Sequence, residues 1–321
     1  MFRFKPIFKQ VVWGGDRISA YKGIESTMSG VGESWEISSV SGNESIVLDG
    51  PDAGLTLPSL IERHKASLVG KRNYERFGTE FPLLIKLIDA KQDLSVQVHP
   101  NDELAEKRHG KRGKTEMWYV IDAKKDAKLL SGFSEHLTPE GYVMKVNEDQ
   151  IISALCQYDV RPGDVFYLPA GRVHSIGAGV FIAEIQQTSD LTYRIYDFNR
   201  KDVNGQPREL HTELAKDAID YAVQPDYRTH YIEASDTRVE LVSCPHFTTS
   251  LLDLTKPYTL DKHDLDSFVV VICISGSCTS AATPNEKIDL RQGETILISA
   301  SVQTVTFTPV TTVKLLLSWL E

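Results

Sequence analysis

Apolar and polar positions alternate with period two through much of this 321-residue chain, and the exceptions are short. Residues 1 to 50 set brief apolar runs between glycines, and Trp13-Gly14-Gly15 and Val31 to Ser38 read as strand segments with tight turns. From 57 the spacing changes: Leu57, Leu60, Ile61, His64 and Leu68 recur at helical intervals between Pro58 and Gly70-Lys71-Arg72. A helical excursion over about 57–79 is therefore expected. Strands return at Phe81 to Ala90 and Leu94 to Val98. Residues 101–113 are charged and glycine-broken, as a surface loop or short helix would be. A further strand starts at Lys114, with Lys114, Glu116 and Trp118 on one face. Leu210, Leu214, Ala218, Ile219 and Tyr221 predict a helix over about 208–222, followed by the linker Val223 to Tyr227. Beyond Tyr231 short strands recur at Val239–Val242, Phe247–Leu254, Ser267–Ile274, Thr295–Ile298 and Val302–Phe307. The expected fold is mainly β, with short helical additions.

Hydrophobic residues make up 41% and charged residues 25%, the balance of a water-soluble globular protein. The net charge of -9 argues against binding to nucleic acid or an anionic membrane, and no segment approaches the ~20 apolar residues of a bilayer span. Met1 to Pro6 lacks a signal-peptide pattern, and cysteines 156, 244, 273 and 278 form neither a thiolate zinc motif nor a disulfide framework. A cytoplasmic protein is expected.

Chemistry concentrates at three places. In a strand, Gln97 and His99 project from one face, and Glu116 and His174 offer a carboxylate and a second imidazole. Two neutral nitrogens and one oxygen suit zinc, manganese or iron with a position left open for substrate. An amide oxygen is a weak ligand, so Gln97 either joins the set or orients His99 from behind. Lys86, alone among Leu84, Ile85, Leu87 and Ile88, either snorkels outward or meets an anion. Glu36 reads as an exposed strand carboxylate, His64 as a helix-face residue, His109 as solvated, and His211 as structural or surface.

Gly163, with Pro169-Ala170-Gly171 and His174, resembles the second motif of the cupins, small jelly-roll barrels with a central metal. Two departures are informative: Gln97-Val98-His99 replaces the usual His-x-His pair, and Ala178 stands where cupins carry Asn. Gln97-x-His99-Pro100, Lys114-x-Glu116-Met117-Trp118-Tyr119 and Pro169-Ala170-Gly171-x-x-His174 are similar to the type I mannose-6-phosphate isomerases. Trp13-Gly14-Gly15, Gly32 to Glu36, Glu184 to Gln187 and Tyr193 to Asp197 extend the resemblance over residues 5 to 200.

The resemblance implies one Zn2+ per chain held by Gln97, His99, Glu116 and His174. It also implies a catalytic Arg194, with Lys86 and Ser95 near the sugar phosphate. The implied reaction interconverts D-mannose 6-phosphate and D-fructose 6-phosphate through an enediol(ate). Its base is Glu184 or Lys114, and the sequence leaves that choice open. A metal-dependent cupin oxygenase and a non-enzymatic sugar-binding cupin are the other readings, the first disfavoured by Gln97 with Arg194 and the second by Lys114, Glu184 and Arg194 together. Gly293 to Thr304 can be laid over Gly163 to His174, with Ser299, Ser301 and Thr304 replacing Pro169, Gly171 and His174. This predicts two jelly-roll barrels: a catalytic one over 1–222 and a metal-less one over 230–321. A small-molecule sugar phosphate is the expected partner, with the chain acting as monomer or homodimer.

Overall fold

The computed structural model describes residues 1–25, 28–201 and 205–321. Its strands form four antiparallel sheets, two to each jelly roll. In the first roll, a seven-stranded sheet runs Arg228–Thr229, Val165–Leu168, Glu116–Ala123, Val180–Gln187, Leu83–Asp89, Val31–Ile37, Ile7–Gln10. It faces a five-stranded sheet of Tyr193–Tyr196, Val96–Val98, His174–Ile176, Lys128–Phe133 and Leu155–Asp159. The second roll sets a six-stranded sheet against the four strands Tyr258–Asp261, Thr304–Pro309, Ser277–Thr283 and Glu286–Arg291.

The two rolls share a core. The seven-stranded sheet turns Leu83, Ile85 and Leu87 outward, and the six-stranded sheet meets them with Val270, Ile272 and Leu316, all fully buried. A separate apolar cluster, including Val271, Leu290, Phe307 and Leu317, fills the inside of the second roll. In the first roll hydrocarbon fills only part of the interior, around Trp118, Phe166 and Ile182. The remaining space is polar.

The likeness between Gly163–His174 and Gly293–Thr304 extends to the backbone. Gly163 donates to the Val120 carbonyl, while Val120 donates to Asp164; Gly293 and Glu294 make the same exchange with Cys273. Arg172 donates to Pro169 and Val302 to Ser299, at the same offset of 130 positions. Strand registers then match Glu116 with Val269, Glu184 with Leu317, and Lys86 with Ser250. Aliphatic side chains thus stand where two carboxylates stand in the first roll.

Several expectations need correction. The excursion at 57–79 is three helices, Leu57–His64, Ala66–Val69 and Lys71–Phe77. Lys65 (φ 50°) and Gly70 (φ 93°) break it, and a Cβ on Gly70 would sit 2.1 Å from the Asp266 carbonyl oxygen of the second roll. The helix expected over 208–222 spans only Thr212–Ala218, and the strand expected from Lys114 begins at Glu116. Trp13 lies in a turn, not a strand, and Gly14 makes one bridge to Ala90. Helices Arg17–Lys22 and Pro139–Asn147 carried too weak an apolar stripe to be read from sequence. Glu36 is buried rather than exposed: it accepts from Ser34 Oγ at 2.5 Å and pairs with Lys22 at 2.8 Å.

Candidate metal centre and active site

Two rows of side chains face each other across the polar half of the first roll. In the five-stranded sheet, Gln97 is registered against His174 on one side and Arg194 on the other. In the seven-stranded sheet, Glu184 is registered against Lys86 and Trp118, and Glu116 lies one pleat along, opposite Gln186. His99 follows directly after its strand, where its carbonyl accepts from Gly171 at 2.9 Å. That bond ties the Pro169–Gly171 turn, and so the start of the His174 strand, to the His99 segment.

His99, Glu116 and His174 converge, with one ligand atom from each lying within 4.8 Å of the others. His99 Nε2 is 3.5 Å and His174 Nε2 is 3.3 Å from a Glu116 oxygen, and the Gln97 carboxamide is 3.3 Å from His174 Nε2. Each imidazole gives Nδ1 to a backbone carbonyl, Leu191 at 2.9 Å and Arg172 at 2.8 Å. A carbonyl only accepts, so Nδ1 carries the proton and Nε2 presents its lone pair to the centre. Burial is the main reason both imidazoles resist protonation, with Lys114 adding to it. His174 is pushed down to about 3 and His99 falls well below its ordinary value.

Burial raises the Glu116 carboxyl to about 7, helped by Glu184 and opposed by Lys114. Among the described residues, His99 Nε2 and both Glu116 oxygens are buried without a hydrogen bond. Lys114 Nζ lies 2.9 Å from Glu116 Oε2 as an ion pair outside hydrogen-bond geometry. Buried polar atoms left this way are costly unless something else satisfies them. Two neutral nitrogens and a carboxylate aimed at one point fit a divalent cation.

Beside the cluster opens a cavity of about 370 Å³, whose walls include Lys86, Ser95, Gln97, Lys114, Glu184 and Arg194. All nine residues singled out in the sequence are thus brought together: three in the cluster and six on the adjoining wall. Lys86 does meet an anion, but that anion belongs to the protein, since its ammonium lies 3.0 Å from Glu184 and 4.0 Å from Glu33. Burial opposes its charge, yet Glu184 and Glu33 hold its pKa above the usual lysine range. Burial alone would raise Glu184, but Lys86 and then Lys114 prevail and bring it to about 2; Trp118 Nε1 donates to it at 3.0 Å.

Sequence reading missed Glu33, Asp190 and Arg208, which also line the cavity. Glu33 had a signal in its strand motif, whereas Asp190 and Arg208 lie in irregular segments without one. His211, expected to be structural or surface, accepts from the Arg194 backbone N–H at 3.0 Å, and the Glu209 carbonyl accepts from Arg194 Nη1 at 3.0 Å.

Comparison with known proteins agrees with this geometry. The profile "Phosphomannose isomerase type I, catalytic domain" matches residues 1–130, the stretch carrying Lys86, Ser95, Gln97, His99, Lys114 and Glu116. Mannose-6-phosphate isomerase ManA of Bacillus subtilis is 38% identical over 85% of this chain and 85% of its own length. The mannose-6-phosphate isomerase of Streptococcus mutans is 32% identical over 94% and 95%. The crystal structure of the mannose 6-phosphate isomerase from Bacillus subtilis superposes with a TM-score of 0.88 at 31% identity, covering 99% of this chain and 98% of that one. With cluster, cavity and full-length likeness in agreement, the chain belongs to the type I phosphomannose isomerases.

Proposed function

We propose that this cavity interconverts D-mannose 6-phosphate and D-fructose 6-phosphate. The observation that carries the reading is a buried carboxylate, Glu184, paired with two lysines and beside the His99–Glu116–His174 cluster, in which His99 Nε2 and both Glu116 oxygens have no hydrogen bond among the described residues. Aldose–ketose isomerisation removes the C2 proton of the open-chain aldose, forms a C1–C2 enediol(ate), and returns a proton to C1. A second proton passes between O1 and O2. The difficulty is the negative charge that builds on oxygen as the C–H bond breaks.

Of the two candidate bases, Glu184 is the one already in its basic form, so we assign it the carbon-bound proton. Lys114, 4.0 Å from Glu184 and 2.9 Å from Glu116, is assigned as a donor toward the sugar oxygens. Arg194 adds a permanently charged planar donor. Ser95 and Lys86 line the same wall and orient the chain of the sugar. Gln97, His99, Glu116 and His174 would hold one zinc ion, which when bound supplies Lewis-acid polarisation of the substrate's carbonyl and hydroxyl oxygens. In this reading 1–222 supplies every site residue of the catalytic roll, with Arg228–Thr229 as its edge strand, and 230–321, joined by Phe2–Arg3, forms the roll that covers its outer sheet.

A coupled assay of the interconversion, before and after chelation and on refilling with zinc, manganese or iron(II), tests the proposal. Turnover that is lost with the metal and best restored by zinc is expected. Absence of turnover in fully loaded protein would reject the reaction. Consumption of oxygen with a sugar substrate would favour the oxygenase reading instead.

A further inference from the structure

The charges around the cavity do not balance evenly along its length. At the inner end each ammonium is already matched: Lys86 by Glu184 and Glu33, Lys114 by Glu116 and Glu184. Asp190 is paired with Lys111 at 2.8 Å. At the opposite wall two guanidinium groups, those of Arg194 and Arg208, face the same space. Among the described residues no carboxylate lies within ion-pair distance of Arg194, and its buried Nε has no acceptor. Among the described residues one carboxylate pairs with Arg208. Asp197, buried to 5% side-chain exposure, accepts from Arg208 Nε at 2.7 Å and Nη2 at 2.5 Å, and from Arg200 Nη2 at 2.6 Å. This fork-to-carboxylate pairing fixes the plane of the Arg208 guanidinium and leaves Nη1 without a partner among the described residues. Arg200 itself is turned away, donating to the Asp93 carbonyl at 2.6 Å.

A phosphate monoester arrives as a dianion, and the lysines of the inner end have no charge left to offer it. The arginine wall does. Resting on the reaction proposed above, we propose that Arg208 is the specificity-determining residue for the phosphate group. It closes on the phosphate together with Arg194, and Asp197 is its positioning residue. The inner wall then handles carbons 1 and 2, and the arginine wall recognises the far end of the extended sugar. Preorganisation is the physical point: Arg208 is already oriented before substrate arrives, so little rotamer freedom remains to be lost on binding.

The test uses the metal-loaded full-length protein and the variants Arg208→Ala, Arg208→Lys and Asp197→Asn. Two readouts are taken: the ratio of kcat/KM for D-mannose 6-phosphate to that for unphosphorylated D-mannose, and calorimetric binding of inorganic phosphate. Arg208→Ala is expected to lower the ratio and weaken phosphate binding, each by roughly 10- to 100-fold, as loss of a charge-assisted hydrogen bond does. Arg208→Lys and Asp197→Asn should fall between, because one keeps the charge without the fork and the other keeps the fork without its clamp.

Equal losses on both sugars, with phosphate binding unchanged, would overturn the assignment and leave Arg208 a merely structural role. Phosphate binding that weakens in Arg208→Ala, in a protein that turns over neither sugar, would support the anion site while rejecting the proposed reaction. Absence of phosphate binding in the unaltered protein would overturn the anion site itself.

Discussion

His174 and Glu184 illustrate how differently two buried residues act, one through position and the other through chemistry. His174 presents Nε2 because its Nδ1 is occupied by the Arg172 carbonyl. Replacing it by alanine removes a ligand and leaves the Glu116 oxygens without that neighbour. His174→Ala is expected to lose bound metal on elemental analysis and with it activity by at least about 10-fold, in line with the effects of disturbing metal shells. Glu184 predicts the contrasting outcome. Glu184→Gln keeps the volume and the Trp118 contact but removes the basic oxygen. Metal content should stay at the unaltered value while kcat falls roughly 10²- to 10⁴-fold, the usual contribution of general base catalysis. An E184Q protein with undiminished kcat would return the proton to Lys114. Both residues were legible in the sequence through motifs, His174 in Pro169-Ala170-Gly171-x-x-His174 and Glu184 in the run Glu184 to Gln187, although the choice of Glu184 over Lys114 as base was not. Arg208 was not, because a residue in an irregular segment has no period to betray its direction.

At the scale of elements, the turn after Ile298 answers the turn after Leu168. In the first roll the turn is tied to the His99 carbonyl and leads into the His174 strand. In the second, Lys262 reaches in, buried to 1% exposure, and donates to the carbonyls of Ser299 at 2.8 Å and Val302 at 3.2 Å. An ammonium thus satisfies the turn that faces a dry interior. Burial lowers its pKa to about 8. A lysine whose folded pKa is depressed binds fewer protons folded than unfolded between about pH 8 and the unfolded value near 10.5. Its charge therefore costs stability in full below pH 8, and the cost, at most about 3 kcal/mol, is relieved as pH rises through that window. Denaturant unfolding of the unaltered protein and of Lys262→Met at pH 7.5 and 10 checks this. Relative to the variant, the unaltered protein should gain stability at the higher pH. The short helices show why local pattern reading stopped where it did. Lys65 and Gly70 break the 57–79 run at positive φ, and one of those breaks exists so that the backbone can pass Asp266.

For the whole molecule, the core shared between the rolls sets the cooperativity. Leu83, Ile85 and Leu87 lose their cover if the second roll opens, and Val270, Ile272 and Leu316 lose theirs if the first does. One calorimetric transition is expected for the metal-loaded protein, and two separated transitions would contradict the shared core. Leu316→Ala, at the fully buried centre of that contact, should cost about 2–5 kcal/mol and shift the single transition without splitting it. Chelation should lower Tm by several degrees, since a ligand present at 1,000 times its Kd adds about 4 kcal/mol to the folded state.

The amino-acid sequence by itself determined that the chain is mainly β, that Gln97 and His99 share one strand face and Lys114 and Glu116 another, and, through its motifs, that His174 belongs with them. Period-two alternation and a few glycine and proline turns are local properties, and they survive any uncertainty about long-range packing. Only the tertiary structure decided which charges neutralise one another. Lys86 is matched to Glu184 because two strands distant in the chain bring them within 3.0 Å, and Asp197 to Arg208 because an irregular segment folds back on the strand end that carries Asp197. Pairing of that kind depends on distance in space, and no spacing along a chain encodes it.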